Sequence, residues 1–151
     1  MKRRNFLGLG FTTMAVAALQ SSSSASILSE HPQAFEATKS DEAIKGAFGT
    51  TDVIKDDKAV LKLPDIAENG AAVPVTVSTS LENAKTMVII IDGNPRPFAA
   101  AWELSEGTIA KFSTRIKMKK TGNVRLIIED ANGKLHETVK QVKVTVGGCG
   151  G

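Results

Sequence analysis

Residues 108–129 read TIAKFSTRIKMKKTGNVRLIIE. In an extended chain Ala110, Phe112, Thr114, Ile116 and Met118 fall on one face, while Lys111, Ser113, Arg115 and Lys117 fall on the other. Val124, Leu126 and Ile128 alternate with Arg125 and Glu129 in the same way, and Thr121-Gly122 supplies a turn between the two runs. Period-two alternation with one apolar face means strands with one side on a core and one side in water.

Working outward, the same pattern recurs. Candidate strands are AVLKL (59–63), VPVTVST (73–79), TMVIII (86–91), FAAAWEL (98–104), TIAKFSTRIKM (108–118), NVRLIIE (123–129) and LHETVKQVKVTV (135–146). Asn69-Gly70, DGNPRP (92–97), Ser105-Glu106-Gly107 and Asn132-Gly133 punctuate them. About seven short strands so spaced specify an all-β, immunoglobulin-like antiparallel β-sandwich. The last run changes phase: Leu135, Glu137 and Val139 are odd, but Val142, Val144 and Val146 are even. Either a β-bulge near Lys140-Gln141 reconciles the halves, or the core-facing segment begins only at Val142. His136 falls on the wet face in this reading. Trp102 is expected in the core, because few other aromatics are there to fill it.

Ahead of the strands, Ser40 and Asp41 are placed to cap a short N-terminal helix through EAIKGAF, which Gly49 ends. Residues 26–40 are polar and Ser-rich and read as a flexible segment. The first residues, MKRRNFLGLGFTTMAVAALQSSSSAS, carry Lys2, Arg3 and Arg4, then a mildly apolar stretch, then small polar residues. That is the pattern of an export signal, and Arg3-Arg4 followed by NFLG resembles the twin-arginine type. A membrane anchor is the competing reading, but the apolar stretch is shorter than the roughly 20 residues a span needs. Cleavage after Ala25 is expected, leaving a periplasmic protein with no membrane attachment. Domain boundaries follow: 1–25 signal, 26–40 flexible segment, 41–146 sandwich, 147–151 a terminal arm.

The formal charge of +3 belongs to that signal. Without Lys2, Arg3 and Arg4, 16 Lys and Arg balance 16 Asp and Glu, so no nucleic-acid footprint remains. What does remain unusual is the end, VKVTVGGCGG (142–151), with the single cysteine between two pairs of glycine. Gly147 and Gly148, with Gly150 and Gly151 beyond the thiol, predict a flexible arm. Three extended residues reach roughly 10 Å past the fold.

A frayed terminus with an incidental thiol is the bland alternative, but an exposed thiol is a liability in an oxidising compartment. Zinc needs about four ligands, and only Cys149, His31 and His136 supply soft donors, so no metal site is expected. C-x-x-C-H haem attachment and a prenylation box are absent. A catalytic thiol needs a base in fixed geometry, which a loose arm does not hold. Two readings stay open: an attachment point whose chemistry is delegated to partners, and an intermolecular disulfide.

The terminal motif, with LPDIAENGAAVPV (63–75), DGNPRPFAA (92–100) and FSTRIKM (112–118), resembles the SoxY family, sulfur carriers of the bacterial thiosulfate-oxidising Sox system. The similarity runs from about residue 40 to the end. It implies that Cys149 is the covalent attachment site for thiosulfate-derived sulfur, and that the protein is a carrier without catalytic residues or cofactor of its own. It further implies a heterodimer with a SoxZ subunit, a haem-containing thiosulfate-coupling enzyme, a sulfohydrolase and a sulfane dehydrogenase as partners. IAENG and NPRP read only as turns.

Overall fold

The computed structural model describes residues 30–146; the signal and Gly147, Gly148, Cys149, Gly150 and Gly151 lie outside the described residues. Among the described residues two helices, α1 (Pro32–Glu36) and α2 (Ser40–Phe48), precede nine strands: β1 (Val53–Lys55), β2 (Ala59–Lys62), β3 (Ile66–Ala67), β4 (Val73–Thr79), β5 (Ala84–Ile91), β6 (Phe98–Glu103), β7 (Lys111–Ile116), β8 (Gly122–Asp130) and β9 (Leu135–Val144). The larger sheet has the order β1-β9-β8-β5-β6, with β3 also on β9, and the smaller has the order β2-β4-β7. All seven expected strands form. The two additional ones, β1 and β3, are three and two residues long and pair with β9 in parallel, too short for alternation to reveal.

The large sheet is covered on both sides. Met87, Ile89, Ile91, Val124, Leu126, Ile128 and Val142 pack toward the smaller sheet with Val73, Val75 and Val77. Val88, Ile90, Ile127 and Leu135 pack against Ala34, Ala43, Ile44 and Ala47 of the helices. The run TMVIII does not alternate because neither face of β5 meets water. Each fully buried Ile or Leu contributes roughly 1.5–3 kcal/mol, so the helical layer is a second core.

That layer corrects two expectations at the N-terminus. Within 26–40, residues 32–36 are helical rather than flexible: Ala34 is fully buried and Phe35 meets Phe98, ring centroids 4.1 Å apart. Ser40 is the first helical residue and caps nothing; its hydroxyl donates to Asp92 Oδ1, tying α2 to the β5–β6 loop. Gly49 does end the helix, in the left-handed region at φ 76°.

Of the two readings left open for the last strand, the bulge near Lys140-Gln141 is absent. β8 and β9 stay in one antiparallel register from Gly122↔Val142 to Glu129↔Leu135. Even positions face the smaller sheet throughout, and the phase change arises because His136, Thr138 and Lys140 occupy that face with polar groups before Val142 resumes the apolar pattern. Trp102 is half-buried and stacks on Phe112 at 5.3 Å and 9°, closing the sandwich between β6 and β7.

Candidate functional site at the foot of the C-terminal pentapeptide

β9 carries the chain toward residue 147 and is held on both sides to its end. From β8's flank, Thr121 Oγ1 accepts the Val144 amide at 2.9 Å and donates to the Val144 carbonyl at 3.4 Å. On the other side the segment 65–70 runs alongside. Lys143 N donates to Asp65 O (2.9 Å), Thr145 N to Ala67 O (3.1 Å) and Gly70 N to Val146 O (2.9 Å). Asn69 Oδ1 accepts the Ala71 amide and fixes the turn that presents Gly70. Lys140 reaches back to bond the Leu63 carbonyl at 2.6 Å and pairs with Asp65 at 3.0 Å. Backbone bonds thus hold the chain through Val146.

Upstream on the same strand, His136 is corrected from a solvent-facing residue to a buried one, 6% exposed. Nδ1 lies 2.8 Å from Asp56 Oδ2 and Nε2 lies 3.0 Å from Asp130 Oδ2. Both ring nitrogens are thus taken up by carboxylates. The Lys58 amide chiefly, then His136, holds the Asp56 carboxyl below its ordinary value. Asp130 is held low first by His136, against the opposing effect of burial, with the Lys134 and Asn132 amides adding to it. The clamp ties the β1–β2 turn to the β8–β9 hairpin.

On the opposite face of β8 and β9, Arg125 Nε donates to Glu137 Oε1 at 2.6 Å, and Arg125 Nη1 lies 3.5 Å from Asp41 of α2. Among the described residues no group of three or more His, Cys, Asp or Glu side chains is placed to hold a metal ion. These ionic clusters brace the strand that leads to the pentapeptide.

A family model described as sulfur oxidation protein SoxY matches residues 44–149, from α2 to the cysteine. The chain belongs to the SoxY family. Among solved structures, this SoxY-family chain is similar to the sulfur carrier protein SoxY from Chlorobium limicola f thiosulfatophilum, at 37% identity over 70% of this chain and 96% of that one, with a TM-score of 0.64. The superoxide reductase (neelaredoxin) from Ignicoccus hospitalis shares the fold alone, at 17% identity over 61% of this chain and 94% of that one, with a TM-score of 0.51. Among curated proteins, none matches.

Two motifs that read only as turns turn out to make long-range bonds. IAENG (66–70) supplies β3 and the amide that holds Val146. Asn94 of NPRP bonds the Lys117 carbonyl through Nδ2 (2.7 Å) and the Lys119 amide through Oδ1 (2.9 Å), locking the β5–β6 loop to the β7–β8 loop. Asn-Gly and Asn-Pro advertise turns; nothing local advertises the distant strand each turn holds.

Proposed function

We propose that this protein is a periplasmic sulfur carrier, loaded covalently on Cys149 and served by partner enzymes. The observation that carries the reading is the juxtaposition of a β-strand anchored through Val146 with a Gly-Gly-Cys-Gly-Gly ending, in a chain of the SoxY family. A stiff base and a bare tether let the thiol enter a narrow channel while the body stays outside.

Loading joins the Cys149 sulfur to the outer sulfur of thiosulfate. The thiol loses its proton, and two electrons pass to a haem-containing coupling enzyme, giving the cysteine S-thiosulfonate. A sulfohydrolase then cleaves the bond to the sulfonate sulfur with water, releasing sulfate and leaving a persulfide. A sulfane dehydrogenase or another acceptor clears the persulfide. Such sulfur caps are reversible, so one thiol serves many cycles. Arg3-Arg4 and the apolar stretch behind them support export to the periplasm, and a SoxZ-type subunit completes the heterodimeric carrier.

Intact mass spectrometry of the protein from cells oxidising thiosulfate tests this. Mass increments for thiosulfonate or sulfane sulfur, mapped to Cys149 and removed by reductant, are expected. Cys149→Ser is expected to keep the wild-type melting temperature and lose every adduct. A Cys149 that stays unmodified through turnover, or one found only in a disulfide-linked dimer, overturns the proposal.

A further inference from the structure

The mature chain is electrically balanced, yet its cations are not evenly placed. A 580 Å³ groove runs between the β5–β6 loop, β6 and β7, floored by Pro95, Ala99, Ala100 and Ile116 and edged by Arg96, Arg115, Lys117 and Lys119. A second concavity of 770 Å³ on the outer face of the smaller sheet shares Thr114 and Arg115 with it and adds Lys62. No carboxylate lines either one. Arg125 and Lys140 are matched by acids, but Lys62, Arg96, Arg115 and Lys119 make no ion pair with a described residue. The arrangement is stiff: Asn94 bridges the two loops, and Arg96 sits between Pro95 and Pro97.

Its position relative to the tether matters more. Gly70 donates to Val146 O, and Met118, flanked by Lys117 and Lys119, donates to Gly70 O at 2.7 Å. Two hydrogen bonds through Gly70 thus tie Val146 to the segment 117–119 that edges the groove. Three extended residues beyond Val146 span roughly 10 Å, so a body seated on the groove sits beside the tether's foot.

We infer that this basic groove is the docking surface for acidic patches on the enzymes that receive Cys149, an inference that rests on the carrier reading. A tether this short delivers its cargo only if the partner binds beside the tether's foot, and the unpaired cations lie there. The cations are exposed and spread over two loops and a strand rather than converging in a buried socket. That geometry suits a broad acidic protein face and not a single small oxyanion.

The test uses the mature chain assembled with its SoxZ-type subunit, with Arg96, Arg115 and Lys119 all changed to Glu, and separately all changed to Gln. Both are loaded chemically at Cys149 with tetrathionate and offered to the sulfate-releasing hydrolase from the same cells. Expected results are normal loading, an unchanged melting temperature and a roughly tenfold or greater fall in kcat/KM for the Glu form at low salt. The Gln form is expected to be intermediate, with a flattened salt dependence. Wild-type turnover by both loaded forms overturns the docking surface while leaving the carrier reading standing. Wild-type turnover accompanied by calorimetric binding of free thiosulfate that only the unmutated protein shows overturns it in favour of a small-anion site. Wild-type protein that takes up no label at Cys149 sinks the carrier reading itself.

Discussion

The amide of Gly70 donates to the carbonyl oxygen of Val146 at 2.9 Å. Through that bond a turn 76 residues upstream in sequence holds the last residue before the glycines, as β3 and Thr121 hold the two before it. On both sides of β9 the restraints run to its end: Thr121 holds Val144, and the segment 65–70 holds Thr145 and Val146 beyond it.

Thr121→Val isolates one of these restraints. It keeps the side-chain volume and removes the hydroxyl that serves both backbone groups of Val144. Each such bond is worth about 1 kcal/mol. Hydrogen exchange at the Val144 amide is expected to speed several-fold, with the amides of Val88 and Ile127 in the central strands unchanged. Equal exchange at Val144 in both proteins refutes the restraint.

Gly122→Ala tests the opposite end of the same corner. A Cβ there meets the Asp92 carbonyl oxygen at 2.4 Å, a contact with backbone that no rotamer relieves. Asp92 is itself bonded to Asn123 and to Ser40, so it has little room to retreat. A loss of about 1–3 kcal/mol by chemical denaturation is expected. A variant as stable as wild type shows that the corner yields.

The sandwich was legible because alternation at Phe112, Ile116, Val124, Leu126 and Ile128 is a local consequence of one buried face. β5 was legible as a strand but not as a central one, since TMVIII hides which of its two faces meets helices and which meets the smaller sheet. His136 was misplaced for a related reason. Polar residues on a strand normally mark the wet side, and only the tertiary fold brings Asp56, 80 residues away, and Asp130 to bond one inside. Cys149 stood out by its place between two glycine pairs, and it lies outside the described residues. The roles of Asn94 and Gly70 are long-range, and no spacing in the sequence encodes them.

The Arg125–Glu137 pair separates buried from exposed electrostatics. Both side chains are largely buried, whereas Asp41 is 80% exposed. Removing one partner of a buried pair leaves a charge without compensation, so Glu137→Gln is expected to cost about 3 kcal/mol or more. Asp41→Asn is expected to cost under about 1 kcal/mol, because solvent already screens that contact. Comparable losses from the two variants contradict this division.

The His136 clamp sets a pH dependence with a definite sign. Asp56 and Asp130 both titrate below the ordinary carboxylate value of 3.8 in the fold. As pH falls, the unfolded chain takes up their protons first, and the equilibrium shifts toward it. The stability they contribute is complete well above 3.8 and drains away as pH drops through that value toward their lowered ones. Melting temperature is therefore expected to be flat near neutrality and to fall steeply below about pH 4. Asp130→Asn, which keeps the turn-capping oxygen that bonds Asn132 and Lys134 but cannot ionise, is expected to start lower at neutral pH and fall less steeply. Parallel curves for variant and wild type across that range mean the clamp is not what acid undoes.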